Sequence, residues 1–387
     1  MDKKFLGKGF LLSSIIVSTY FIIGGCGGYY YPKNPADAST QSSAKPSTKP
    51  KNATKPMVTQ KPSSTKPSVS SPVKNQTPLQ GTGSYNDYPA MHQLIDRMTQ
   101  KGFNRTYLQQ LFSNIQRDND ILAKVKSPAE AKPWSAYRPI FLTEQRINSG
   151  VGFWNRHAAS LNAAAQRFGV DPEYIVAIIG VETSYGRHTG KYNVLRSLTT
   201  LAMDFPTRSK FYTSELEHFL QLTREEKINN FSGIKGSYAG AMGMGQFISS
   251  SYRNFAIDFN NDKHKDLWHP VDAIGSVANY FAKHGWTKGS DVTSPARIEG
   301  TSYAKIAHTK ATKPIYSLRQ LSQYGVKPAG NINSTRVDLL RLQGSKGDEY
   351  WVTGDNFYTI TRYNHSPKYA MAVYQLAQEI KRRKFGR

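Results

Sequence analysis

A run near the middle of the chain leaves little freedom in how the rest can fold: Val170-Asp-Pro-Glu-Tyr-Ile-Val-Ala-Ile-Ile-Gly-Val-Glu-Thr-Ser-Tyr-Gly186. Asp171 suits an N-cap, Pro172 the first helical position, and Glu173 the positive end of a helix dipole. Almost every side chain after them is apolar, and Gly186 closes the run. The pattern predicts a buried helix over Pro172–Thr183 around which the chain is organised. One ionisable residue lies within its apolar part, Glu182. Three, four and seven residues back stand Ile179, Ile178 and Ile175, all on the same helical face. Desolvation and the negative end of the helix dipole both disfavour a carboxylate there, which predicts a raised pKa. A carboxylic acid that holds its proton near neutral pH is what a general acid needs. The plainer alternative is a structural glutamate that caps a loop or pairs with Arg187.

The 387 residues are 38% hydrophobic, enough for a large core and more than one domain. The formal charge is +24, of which eleven Lys and two Asp place +9 in residues 1–84. That balance suits nucleic acid, anionic lipid or an anionic polymer such as cell wall, and charge alone does not choose among them. A single cysteine excludes an intrachain disulfide.

The N-terminus decides the compartment. Lys3, Lys4 and Lys8 precede an apolar stretch from Phe10 to Ile23 that is too short and too polar for a comfortable membrane span. It ends Ile23-Gly-Gly-Cys26, which resembles the bacterial lipobox, and the chain's one cysteine falls at that spot. The expectation is a signal peptide over residues 1–25, lipidation of Cys26, and an anchor on the periplasmic face of the outer membrane, since Gly27 rather than Asp follows the cysteine. Residues 26–84 are Pro, Lys, Ser, Thr and Asn with Lys-Pro near-repeats, a disordered tether unable to bury apolar surface.

Order is expected from Tyr85. Helical spacing marks His92–Gln100, Thr106–Ile115, Thr143–Phe168, Leu195–Met203, Lys210–Thr223, Gly245–Phe255, Val271–Lys283 and Lys368–Arg382. Between Gly289 and Asp355, Val337-Asp-Leu-Leu-Arg-Leu and Glu349-Tyr-Trp-Val-Thr alternate like strands, which predicts a small β-rich insertion over 290–355. The fold class is mainly α with this α+β element.

Glycosidases normally place two carboxylates across the bond. Only Glu182 sits on an apolar face; Asp204, Glu215 and Glu217 read as exposed helix residues. A second stretch, Gly236-Ser-Tyr-Ala-Gly-Ala-Met-Gly-Met-Gly-Gln-Phe247, turns tightly or lets a ligand approach its backbone. Ser237 and Gln246 are its polar side chains apart from Tyr238, and no Lys follows its last Gly as in a phosphate loop. Asp258-Phe-Asn-Asn-Asp-Lys-His264 places oxygen donors at positions one, three, five and seven of an EF-hand-like loop: Asp258, Asn260, Asp262 and the His264 carbonyl. Position six is Lys263, where such loops want Gly. The nine His show no zinc spacing.

Together Val-Glu-Thr-Ser-Tyr-Gly, the Gly236–Phe247 stretch, Asp-Leu-Trp-His-Pro-Val-Asp-Ala-Ile-Gly-Ser-Val-Ala-Asn-Tyr-Phe and Asn-Phe-Tyr-Thr-Ile-Thr-Arg-Tyr-Asn-His-Ser closely resemble the membrane-bound lytic murein transglycosylase B family, from Tyr88 onward. The resemblance implies a helical domain over 85–165 and a lysozyme-like core over 166–289 that resumes at 356–387. It implies Glu182 as sole catalytic acid, oriented by Ser237. Gln246, Asn364 and the tyrosines Tyr137, Tyr280, Tyr363 and Tyr369 would line a sugar groove. Arg208 would meet the peptide stem, with Thr207 where the family pattern has a second Arg. Asp272 would complete a structural calcium site; no cofactor is required. The implied partners are peptidoglycan glycan strands, a membrane reached by the lipid anchor, and proteins of cell-wall synthesis or division, with no nucleic acid.

The resulting expectation is a lytic transglycosylase that cleaves the MurNAc-GlcNAc bond and closes a 1,6-anhydro ring. The muramyl C6 hydroxyl acts as nucleophile, so a second carboxylate is dispensable. The rivals are a hydrolytic muramidase and a non-catalytic wall-binding lipoprotein.

Overall fold

The computed structural model describes residues 84–126, 132–228, 230 and 233–386. The expected leader, Cys26 and the tether up to residue 83 lie outside the described residues. Helices come first: α1 (Pro89–Gln100), α2 (Arg105–Ser113), α3 (Asn119–Lys124), α4 (Trp134–Phe141), α5 (Glu144–Arg156) and α6 (Ala158–Phe168). α7 (Pro172–Thr183), β1 (Tyr192–Asn193), α8 (Val194–Asp204), α9 (Ser209–Glu225), β2 (Lys235–Gly236), α10 (Ser249–Phe255) and α11 (Pro270–Lys283) follow. The chain then makes β3 (Thr293–Ile298), β4 (Ala307–His308), α12 (Leu318–Gln323), β5 (Val326–Pro328), β6 (Asp338–Gly344) and β7 (Gly347–Thr353). It returns to helix in α13 (Asp355–Tyr363) and α14 (Pro367–Phe385). No helix among the described residues is long and apolar enough to cross a membrane.

Short polar side chains start several of these helices by accepting a backbone N–H left unpaired in the first turn: Asn104, Thr143, Asn193 and Ser366. Asp171 holds the cap position of α7 without a side-chain cap bond, a departure from the expected N-cap. Its neighbour Pro172 already removes one unpaired N–H from that turn.

α7 is the centre of the main core, packed by α5, α6, α11 and α14. Ile175, Val176, Ala177, Ile178 and Ile179 have no exposed surface. Burying the aliphatic side chains of this run is worth on the order of 10 kcal/mol before chain entropy is counted.

The strand order is β4-β6-β7-β3-β5, antiparallel except for β4 beside β6. β6 has cores on both faces. Leu340 and Leu342 join the main core, whereas Leu339 packs with Ile306, Leu321, Val326, Ile332, Val337 and Val352 in a smaller one. The chain enters and leaves the sheet at one point: Thr293 pairs with Thr353, and Gly354 N donates to Val292 O at 3.0 Å.

Two expected elements differ. Thr143–Phe168 is two helices, because His157 leaves helical geometry (φ −114°, ψ 24°) and its ring packs on Phe153 at 4.6 Å. The helix expected from Gly245 begins only at Ser249, since Gln246 takes φ 51° to close a hairpin.

Candidate active site

Glu182 is the penultimate residue of α7 and is 5% exposed. The Tyr369 hydroxyl donates to Glu182 Oε1 at 2.5 Å. Tyr369 reaches it from the first turn of α14, which starts at Pro367 behind the Ser366 cap. Burial, then the Glu182 charge, pushes the Tyr369 and Tyr363 hydroxyls well above the usual phenol range, so both stay protonated donors. Tyr363 donates to Gly245 O at 2.5 Å and Tyr280 to Arg362 O at 2.6 Å, with their rings 4.8 Å apart. Tyr280 also stacks on His284 at 3.9 Å.

The glycine-rich stretch forms the facing wall. β2 pairs with β1, and Met242 and Phe247 exchange both backbone hydrogen bonds at 2.9 Å. Gly243 allows this turn: its φ is 70°, and a Cβ there would collide with Leu267. Ser237 Oγ accepts the amides of Ala241 at 3.0 Å and Ala239 at 3.3 Å. Gln246 donates from Nε2 to Gly243 O at 2.9 Å and Thr189 O at 3.1 Å; its buried Oε1 meets no partner among the described residues. Thr183, beside Glu182, ties α7 to this wall by donating to Met244 O at 2.9 Å. The arrangement offers one buried carboxyl, fixed by a phenol, next to a backbone-lined hairpin with an unused amide oxygen.

A family model described as the transglycosylase SLT domain matches residues 86–378. The chain belongs to the transglycosylase SLT family. Membrane-bound lytic murein transglycosylase B of Escherichia coli K12 is 44% identical over 314 residues, covering 78% of this chain and 85% of that protein. Among solved structures, catenated SltB1 of Pseudomonas aeruginosa is 45% identical with a TM-score of 0.73, covering 78% of this chain and 99% of its own. Slt35 of Escherichia coli, solved in complex with calcium, is 42% identical with a TM-score of 0.71, covering 79% and 97%. This SLT-family chain is a lytic murein transglycosylase with a lysozyme-like, mainly helical fold and a small sheet.

Within the transglycosylase, the expected sugar-groove tyrosines are unequal. Tyr363 is half-buried and Tyr280 is 8% exposed, while Tyr137 and Tyr369 have no exposed surface. The latter two therefore back the site instead of offering a ring face to solvent. Asn364 is buried, and its Oδ1 accepts Ser366 N at 3.0 Å, fixing the turn that leads to Tyr369. Arg208 lies on the short turn Pro206–Arg208 and stacks over Phe211 at 4.0 Å and Tyr212 at 5.3 Å.

The carboxylate oxygens of Asp258, Asp262 and Asp272 lie within 4.8 Å of one another. Lys263 N donates to Asp258 Oδ2 at 2.7 Å, Asp262 N to Asn260 Oδ1 at 3.0 Å, and His264 N to Asp262 Oδ1 at 2.9 Å. Lys263 adopts φ 76°, the left-handed geometry that disfavours a side chain.

Three acids expected to be exposed are not. Asp204 is 9% exposed and accepts the Tyr85 hydroxyl at 2.7 Å. Glu215 is 4% exposed and accepts Ser250 N at 2.8 Å and Ser250 Oγ at 2.7 Å. Glu217 is half-buried between Arg97 at 2.7 Å and Lys101 at 2.6 Å. Each is drawn inward by donors from distant segments, which helical spacing alone does not register. Thr183 and Tyr185 stand in the motif that carries Glu182, and only the fold gives them their roles, on Met244 O and Arg146 O.

Proposed function

We propose that Glu182 is the acid and then the base of this transglycosylase. Tyr369 occupies Oε1, so the acid proton belongs on Oε2, from which it passes to the glycosidic oxygen between MurNAc and GlcNAc as the C1–O bond breaks. The carboxylate left behind takes the proton of the muramyl C6 hydroxyl, whose oxygen bonds to C1 and closes the 1,6-anhydro ring. No water is consumed. An internal nucleophile has a high effective concentration, which relieves the protein of supplying a second carboxylate.

The observation that carries this reading is the pairing of a buried, helix-borne Glu182 with the Tyr369 hydroxyl. A second supports it: burial, then the Glu182 charge, holds the Tyr363 hydroxyl above the usual phenol range. Ser237, with two amides on its oxygen, keeps its own hydroxyl proton for a carboxylate. Gln246 Oε1 and Asn364 receive sugar hydroxyls, and Tyr280 and Tyr363 border the groove. Arg208 meets a peptide carboxylate, with Thr207 adding no second cation. The substrate is the glycan strand of peptidoglycan; the related SltB3 of Pseudomonas aeruginosa was solved with NAG-NAM-pentapeptide. Cys26 is lipidated and holds the enzyme at the periplasmic face of the outer membrane. Purified enzyme on sacculi should release muropeptides one water lighter than hydrolysis products and resistant to borohydride. Mass spectra dominated by reducible muramic ends would mean hydrolysis.

The loop at Asp258 fits a structural calcium ion. The carboxylates of Asp258, Asp262 and Asp272 converge there, and the EF-hand-like spacing adds the Asn260 side chain and the His264 carbonyl as oxygen donors. An ion held by these residues would compensate their charges and brace the loop between α10 and α11. Millimolar calcium should raise the melting temperature, and Asp258→Ala with Asp262→Ala should remove the response. A melting curve indifferent to calcium would reject the site.

A further inference from the structure

Glu182 lies between two residues of its own segment, Gly180 and Tyr185, and both are fastened to Arg146 on α5. Arg146 Nη1 donates to Gly180 O at 3.1 Å, and the Tyr185 hydroxyl donates to Arg146 O at 2.9 Å. The bonds run in opposite directions and close a clasp between the first turn of α5 and the end of α7. Thr143, capping α5, accepts Arg146 N at 3.2 Å and so fixes that turn.

The clasp reinforces a turn that its own backbone closes with Ser184 N on Gly180 O at 3.1 Å and Tyr185 N on Ile179 O at 3.2 Å. Ser184 and Tyr185 have φ of 51° and 64°, a left-handed pair directly after the helix. Such geometry is costly for an L side chain, and neither residue is the Gly or Asn that adopts it readily. Shape seats Tyr185 as well. A Cβ added to Gly150 or Gly180 would lie 2.5 or 2.6 Å from its hydroxyl oxygen, so both glycines are needed for the ring to lie down. The guanidinium itself is half-buried and lies over the Phe141 ring at 5.2 Å. A cation at this helix end also complements the negative end of the α7 dipole. Lysine would bring the charge without the rigid fork.

We infer that Arg146, acting with Tyr185, is a positioning residue that fixes the end of α7 and with it the angle at which Glu182 meets Tyr369 and the sugar. The inference rests on Glu182 being the acid of the reaction. Arg146 touches none of the reacting atoms.

The test uses full-length enzyme on purified peptidoglycan, with kcat and KM expressed per folded molecule and melting curves run alongside. Arg146→Met should lower kcat about tenfold or more with KM within about twofold, because small misplacements of a catalytic group are expensive in rate. Arg146→Lys should recover part of that loss. Tyr185→Phe should lower kcat about threefold and add little to Arg146→Met, as expected of two residues in one device. A residue with only a structural role would lower the melting temperature and leave kcat per folded molecule alone. The inference is overturned if Arg146→Met keeps kcat within about twofold, if the loss appears only in KM, or if the two substitutions are additive. Should Arg146→Met fail to fold, Tyr185→Phe decides, and an unchanged kcat overturns it. Glu182→Gln is measured in parallel: turnover there would reject the acid assignment itself, whereas an inactive Glu182→Gln beside a normal Arg146→Met would reject only the clasp.

Discussion

Glu182 and Glu215 are buried to the same degree, 5% and 4% exposed, and each sits on a helix among apolar neighbours. Their partners separate them. Glu215 spends both oxygens on Ser250, joining α9 to the start of α10, and so completes a structural bond. Glu182 is met by a phenol on Oε1 and stands against a hairpin whose Gln246 oxygen is unused. Burial alone therefore does not mark a catalytic acid. What marks it is a carboxyl held in place with chemistry left to do.

The largest effect that could break this contrast is in activity. Glu182→Gln should fold normally and lose turnover by about three orders of magnitude, since an amide cannot donate and retrieve the proton. Glu215→Gln should keep activity within a few-fold. Comparable rates for the two variants on sacculi would erase the distinction. A smaller effect sharpens it: Tyr369→Phe should cost about tenfold to a hundredfold in kcat, the worth of a hydrogen bond to a charged group, and full activity would deny Tyr369 its role.

The smallest concerns pH and stability. Burial raises the Glu215 pKa, with the Ser250 bonds opposing. A raised carboxyl pKa means the folded state binds the proton more tightly, so its stability contribution falls as pH rises from the ordinary carboxylate range through the raised value. Glutamine has no such dependence. The stability of wild type minus that of Glu215→Gln in urea melts should therefore fall as pH rises above the ordinary carboxylate range. A difference that rises would contradict the assigned direction.

Much of this was legible in the chain. α7 announced itself because Pro172, an unbroken apolar run and Gly186 all agree, and the structure places it at Pro172–Thr183 as read. Glu215 shares an apolar face as Glu182 does: Phe211 and Tyr212 stand four and three residues before it, and Phe219 four after. The same apolar face would have flagged it, but only the fold reveals that Ser250 satisfies it. The clasp was not legible, since Arg146 and Gly180 are joined across 34 positions and no local pattern encodes a guanidinium on a carbonyl. The short strands β1, β2, β4 and β5 escaped because they are two or three residues long, too brief for alternation to show.

The shared doorway of the sheet bears on how the chain assembles. About sixty residues separate Val292 from Gly354, yet the two are hydrogen-bonded. Bringing such distant points together costs an unfolded chain about 3 to 4 kcal/mol in loop entropy. Strand pairing of Thr293 with Thr353 closes that loop from within. Once the sheet has zipped, α11 and α13 search for each other across a much shorter effective loop than their sequence separation implies.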